Sequence, residues 1–368
     1  MKKNVTKRIL IALVAVLGTA AVIVGGYILY LSLQYYRIED GVALECQNGQ
    51  SAVLESGKDY TAVTYNIGFG AYDHDFSFFM DSGTMLDGTE VRGVHARAQS
   101  LAIVEKNTAG AIGMLTENAP DFCLLQEVDV DSTRSFHVDQ TQRLRDAMPG
   151  YGSVFTENFH SGYLCYPFSE PHGSVLGGLL TLSRFSVDAA NRYSYPVDAS
   201  FPEKFFDLDR CFMLLRLPID NGKELVLINS HMSAYDKGGT VRARQLETLN
   251  AVLTAEAEKG NYVIVGGDFN HALCGTEAAF SGMQQIPEWV FTLSDRDIAS
   301  GYHIVCADNV TDVATCRSTD RPYEKGVNYE AVLDGFIVSS NVTASAVNLD
   351  LDFAYSDHNP VLLTFSLN

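Results

Sequence analysis

From Ile9 to Tyr36 the chain carries no charged residue. The run is 28 residues long and mostly Leu, Ile, Val, Ala and Gly, and about 20 apolar residues suffice to span a bilayer. A buried helix of a globular core fits poorly, because the run is too long and lacks a polar face. Lys2, Lys3, Lys7 and Arg8 precede it, whereas Arg37, Glu39 and Asp40 follow it. This asymmetry predicts a signal anchor, single-pass in the cell membrane: 1–8 cytoplasmic, 9–36 spanning, and the rest extracytoplasmic. Tyr27, Tyr30, Tyr35 and Tyr36 fall at the expected outer interface. A cleaved signal peptide is the rival, but its apolar core is usually about 7–15 residues and no small-x-small site follows.

Without residues 1–8, 22 Lys and Arg face 45 Asp and Glu, a net charge of −23. A basic footprint is the usual mark of nucleic-acid binding, so the balance counts against a nucleic-acid substrate without excluding one. The seven cysteines are scattered and form no CxxC, which argues against a zinc site. Cys123 and Cys211 sit in apolar runs as core residues, and Cys306 is set to bridge Cys316 across a loop.

Residues 37–58 read as a polar linker. Beyond it, strand and helix signals alternate. YTAVTYN (60–66), DFCLLQEV (121–128), GGLLTLSRF (177–185), CFMLLRL (211–217), ELVLINSH (224–231), YVIVGGD (262–268), AVLDGFIVS (331–339) and PVLLTFSL (360–367) read as strands. Asp220 to Gly222 is a hairpin turn. Helices are predicted over 90–117, from Val94, Ala98, Leu101 and Val104, and over 239–259, from Leu246, Leu249, Val252 and Leu253. No Pro/Gly/Ser-rich break divides 59–368, so the expectation is one α/β domain with mixed sheets.

The strand ends repeat a chemical pattern. They deliver Asn66, then Gln126 and Glu127, Asn229 and His231, Asp268 and Asn270, Asp334, and finally Asp357 and His358. Each alone reads as a turn, cap or surface pair. Together they place acid, amide and imidazole at the end of many strands, where α/β folds collect function. Hard oxygen donors suit Mg²⁺ or Mn²⁺, and histidines beside carboxylates suit proton transfer near neutral pH. The two glycines before Asp268 would let strands approach closely there.

The motifs TYNIG (64–68), LLQEVD (124–129), LTLSRF (180–185), LINSHMSA (227–234), GGDFNH (266–271), LDGFIVS (333–339) and SDHNPV (356–361) resemble, in order, those of the endonuclease/exonuclease/phosphatase (deoxyribonuclease I-like) superfamily, here as a membrane-anchored, bacterial-type member. The resemblance implies a four-layer α/β sandwich of two mixed β-sheets, preceded by the transmembrane helix, with residues 59–368 as the catalytic domain. It implies a Mg²⁺-dependent phosphoesterase, Mn²⁺ also serving. Glu127 would be the main metal ligand, with Asn66 and Asp357 assisting. Asp268 would orient or deprotonate the attacking water, and Asn270 and Asn66 would contact phosphate. His231 would stabilise the transition state or protonate the leaving group. His358, oriented by Asp334, would be the second acid–base or phosphate-contacting residue.

Arg210 reads as a phosphate clamp or as a salt-bridge partner of Asp207 or Asp209. Arg184 reads as structural. His172 and His271 read as rim or substrate contacts, or as neither, and Phe76 to Met80 as packing or as a lid. Gly68 stands where abasic-site endonucleases carry an aspartate, and their tyrosine-containing loop motif is not evident, which weakens the repair-nuclease reading. A lipid headgroup, a nucleic acid and a small phosphate ester remain competing substrates. No protein partner is expected. An inactive binding module on the same scaffold is the alternative function.

Overall fold

The computed structural model describes residues 2–198, 200–201, 203–234 and 238–368. Helix α1 (Lys2–Gln34) is continuous, with apolar side chains exposed along most of its length. It is long and apolar enough to cross a membrane.

Two seven-stranded mixed sheets follow. Numbering only their strands, β1 (Val42–Ala43), β7 (Ala189–Ser194), β8 (Cys211–Pro218), β9 (Glu224–His231), β10 (Tyr262–Asp268), β12 (Asp334–Ser339) and β11 (Tyr302–Val305) lie in that order across the first. The second runs β13 (Val342–Asn348), β14 (Val361–Leu367), β3 (Asp59–Asn66), β4 (Phe122–Asp129), β6 (Gly173–Ser183), β5 (Gly152–Leu164) and β2 (Cys46–Gln47). Only β9–β10 and β3–β4 are parallel pairs within these sheets.

Strands apolar on both faces bury both faces. In β10, Ile264 points into the core between the sheets, while Val263 and Val265 point outward onto Leu249 and Leu253 of α4 (Thr240–Lys259). In β3, Ala62 points inward, and Val63 and Tyr65 pack outward against α2 (Leu101–Asn118) and α3 (Gln140–Ala147). Helix, sheet, sheet and helix give the expected four layers.

Three expectations change. The helix predicted over 90–117 begins at Leu101, where the Ser100 side chain accepts from the Ile103 N–H as its N-cap. Glu90–Arg92 instead pairs with Ser82–Thr84. Residues 37–58 are more than a linker: β1 and β2 edge the two sheets, and Leu54 is fully buried in the inter-sheet core. Cys306 bonds to Cys274, and Cys316 is free and buried.

Candidate active site

The period-two alternation of the strands builds the site. Ile264 faces the inter-sheet core, so Gly266 and Asp268 share its direction. Leu227 does likewise for Asn229 and His231, Ala62 for Thr64 and Asn66, and Phe336 for Asp334. Where the apolar core ends, a polar layer ties the sheets together. Gln126 Nε2 donates to Asn229 Oδ1 at 2.7 Å and to Thr64 Oγ1 at 3.2 Å, and Asn229 Nδ2 donates to the Leu125 and Leu180 carbonyls at 3.2 Å. Gln126 and Asn229 are therefore structural. One step beyond this layer stand Asn66, His231, Asp268 and Asp334, all buried.

Their register brings them together. His231 neighbours Asp268 in the β9–β10 pair, and Asp268 faces Asp334 in the β10–β12 pair. Asp268 Oδ2 accepts from Asn66 Nδ2 at 3.1 Å and lies 3.6 Å from His231 Nε2 and 3.7 Å from His358 Nε2. His358 Nδ1 is bonded to Asp334 Oδ2 at 2.7 Å. Asp268, Asp334 and His358 bring one donor atom each within 4.8 Å of one another. Glu127 sits in a bulge of β4 with φ 53°, and Asn270 has φ 50°. Left-handed backbone at non-glycine residues concentrates where function holds it. Asn66 Nδ2 reaches Glu127 Oε1 at 3.3 Å, while its Oδ1 accepts from the Gly68 N–H. Asn66, expected among the metal ligands, thus shows the centre its amide nitrogen. Asn270 donates its N–H to Asp268 Oδ1 and its amide nitrogen to the Met232 carbonyl, both at 2.9 Å.

Electrostatics divides the two histidines. Burial, then Arg210, holds His231 well below the usual imidazole range. Arg210 Nη1 lies 2.5 Å from His231 Nε2. A guanidinium only donates, so His231 is neutral with Nε2 accepting. Burial also opposes charge on His358, but Asp334 and Asp268 outweigh it and hold its proton well above the usual range. Glu127 is pushed up by burial and then by the charge of Asp357, which burial raises in turn.

Glu127, His231, Asp268 and His358 line one cavity of about 130 Å³, together with Asn270, Arg210 and Asp357, while Asn66 and Asp334 stand behind it, bonded to Asp268 and His358. Its wall adds Arg134, Arg317 and Trp289, which sequence reasoning missed. Arg134 is paired with Asp129 at 2.9 Å and stacks 3.9 Å over Phe69. The signal was faint: an arginine in the turn following Glu127 in an acidic chain. Arg317 is fully buried and donates to the Asp73 and Ser318 carbonyls. Arg210 bonds His231 and, among the described residues, forms no ion pair with Asp207 or Asp209; Asp209 pairs with Arg37. Arg184 bonds Tyr151 Oη at 2.7 Å. His172 donates to the Ala96 carbonyl and His271 closes on the Phe269 carbonyl, and neither lines the cavity. Phe78 does line it, while Phe76 is core.

Residues 63–358 match the model of the Endonuclease/Exonuclease/phosphatase family. The chain belongs to this family. No curated protein matches the sequence. A solved family structure from Beutenbergia cavernae shares 17% identity at TM-score 0.55, covering 84% of this chain and 72% of that one. TDP2 from Caenorhabditis elegans shares 13% at TM-score 0.53, covering 84% and 76%. ANGEL2, described as a 2′,3′-cyclic phosphatase, shares 14% at TM-score 0.53, covering 90% and 99%. This endonuclease/exonuclease/phosphatase chain leaves little room for a side chain at Gly68. A Cβ there would lie 2.7 Å from Tyr72 and 3.1 Å from Asp357 Oδ1, at φ +52°. An aspartate there would have to displace the Tyr72, Asp357 and Ser356 side chains.

Proposed function

We propose that the chain is a membrane-tethered, extracytoplasmic phosphoesterase that depends on a divalent cation, Mg²⁺ or Mn²⁺. The observation that carries this reading is the meeting of Glu127, His231, Asp268 and His358 at one cavity from both sheets, with Asn66 bonded to Asp268 and Asp334 to His358 behind them. The donor set fits a hard cation. Glu127 and Asp357 are partly buried carboxylates whose charges oppose each other, and a cation between such groups relieves that cost. Glu127 and Asp357 would hold it, with Asn66 orienting Glu127 or contributing its oxygen after the amide turns over. Bound there, the ion would neutralise charge on the phosphate and favour an ionised water.

The chain's own residues supply the rest. Asp268 takes the proton of the attacking water as the new P–O bond forms. His358 carries a proton on Nε2 while Nδ1 is held by Asp334, so it gives that proton to the departing oxygen as the ester bond breaks. His231, neutral, cannot donate from Nε2 while Arg210 occupies it. An incoming phosphate would draw Arg210 away, with Arg210 and Asn270 contacting phosphate oxygens. Zebrafish TDP2 bound to single-stranded DNA product, at 16% identity and TM-score 0.50, and ANGEL2 bound to adenosine-2′,3′-vanadate have a phosphate or phosphate-like ligand in common. That is the element carried over here.

The test uses the full chain in nanodiscs, with lipid, DNA, RNA and chromogenic phosphodiesters, with Mg²⁺ and with chelator. Turnover that requires the cation and falls about 10²–10⁴-fold in His358→Ala is expected. Absence of turnover on every substrate would leave the inactive binding module.

A further inference from the structure

The site's substrate class follows from how the anchor is seated, an inference that rests on the phosphoesterase reading above. Helix α1 does not end in a free tether. Tyr27 Oη donates to the Tyr163 carbonyl and accepts from the Cys165 N–H, both at 3.0 Å, and Tyr30 Oη accepts from the Tyr163 N–H at 2.9 Å. Leu31 is buried against Phe159, Leu164 and Phe205.

The order of these contacts gives a direction. Gly162 packs against Gln34, the last residue of the helix, while Tyr27, seven residues back along it, meets Tyr163 and Cys165. The segment 162–165 therefore runs back along α1 toward the bilayer, over about 10 Å at the helical rise. Counting about 20 residues from Ile9 puts the outer edge of the hydrocarbon near Ile28. Tyr27 and the loop bonded to it are thus at the membrane surface. The end of β5 and the loop after it expose Tyr163 at 44%, Tyr166 at 49% and Phe168 at 82%. Exposed aromatics at this height match the interfacial belt of membrane proteins. They also lead to the site. Tyr166 lies 5.8 Å from Phe79, Phe79 lies 5.0 Å from Phe78, and Phe78 lines the catalytic cavity.

We infer that Tyr163, Tyr166 and Phe168 rest in the outer face of the bilayer that α1 spans, and that the cavity takes the headgroup phosphodiester of a lipid from that surface. The net charge of −23 beyond residue 8 favours zwitterionic over anionic headgroups.

The full chain in phosphatidylcholine nanodiscs tests both halves. Phe168→Trp adds a second tryptophan to Trp289, which lines the cavity. Discs with brominated acyl chains are expected to quench roughly half of the added fluorescence, since bromine at that depth contacts an interfacial ring. Unquenched added fluorescence overturns the membrane placement, whatever the activity. Phe168→Ser with Tyr166→Ser is expected to lower lipid turnover about tenfold while a soluble chromogenic phosphodiester is hydrolysed at the parent rate. Soluble turnover with an untouched lipid, or an equal loss on both, overturns the lipid assignment. No turnover on either substrate by the parent chain overturns the phosphoesterase reading, and with it the lipid assignment, while the quenching result stands independently.

Discussion

Asp268 and Asp334 stand opposite each other on adjacent antiparallel strands, and His358 lies between their carboxylates, bonded to Asp334 at 2.7 Å and 3.7 Å from Asp268. Two buried acids so placed are costly unless a proton or cation lies between them. The imidazolium of His358 fills that role.

Asp334→Asn keeps the shape of the pair but removes the charge that holds the His358 proton. Turnover should fall about 10²–10⁴-fold, with the alkaline limb of the pH–rate profile shifting to lower pH, because His358, the proton donor, then loses its proton at lower pH. Circular dichroism and thermal melting should show an intact fold. Turnover at the parent level would remove His358 from the proton-transfer role.

Gly267 allows β9 and β10 to close on each other just before Asp268. A Cβ at Gly267 would lie 1.9 Å from the Ser230 carbonyl oxygen, and at Gly266 it would lie 2.5 Å from the Phe336 ring. Backbone cannot give way cheaply, so Gly267→Ala should cost about 2–4 kcal/mol and lower the melting temperature by several degrees. A melting temperature unchanged within error would show that β9 has slack here.

The strands and the convergence of polar ends were legible in the sequence because burial on both faces leaves long apolar runs, and alternation then dictates which end residues face inward. The expected closeness of strands at Gly266 and Gly267 is present for the same reason. What failed depended on distant partners. Gly93 packs so closely that a Cβ would sit 2.0 Å from the Phe78 carbonyl oxygen, and residues 90–92 pair with 82–84. That non-local pairing overrides the helical spacing of Val94 and Ala98. Arg134 enters the site from a single 3-10 turn (Thr133–Ser135) and Arg317 from a two-residue strand (Cys316–Arg317), elements too short to carry a periodicity that betrays them.

The pairing of Cys274 with Cys306 was equally hidden, since spacing alone does not choose partners. It closes a loop of sequence separation 32, which in the chain-entropy account stabilises by about 3–4 kcal/mol. Cys306→Ser, or reductant added to the parent chain, should lower the unfolding midpoint by a comparable amount. Cys316→Ser should leave the response to reductant unchanged. Equal midpoints with and without reductant would show that the bond does not form in solution.

His172 makes stability depend on pH. It is wedged between Phe79 and Phe159, and burial, reinforced by Arg134, pushes its titration down to about 4. The folded state therefore binds this proton less readily than the unfolded chain, whose histidine titrates near about 6.5. The stabilisation is complete above about pH 6.5 and is lost as pH falls toward about 4, amounting to about 3 kcal/mol from this group. Carboxylates titrate in the lower part of the same window, so the comparison is with His172→Gln. Denaturant unfolding at pH 7, 5.5 and 4.5 should show the parent losing stability faster than the variant over that range. Parallel curves would mean that His172 accepts its proton in place, and that the cage formed by Phe79, Phe159 and the Ala96 carbonyl tolerates the charge.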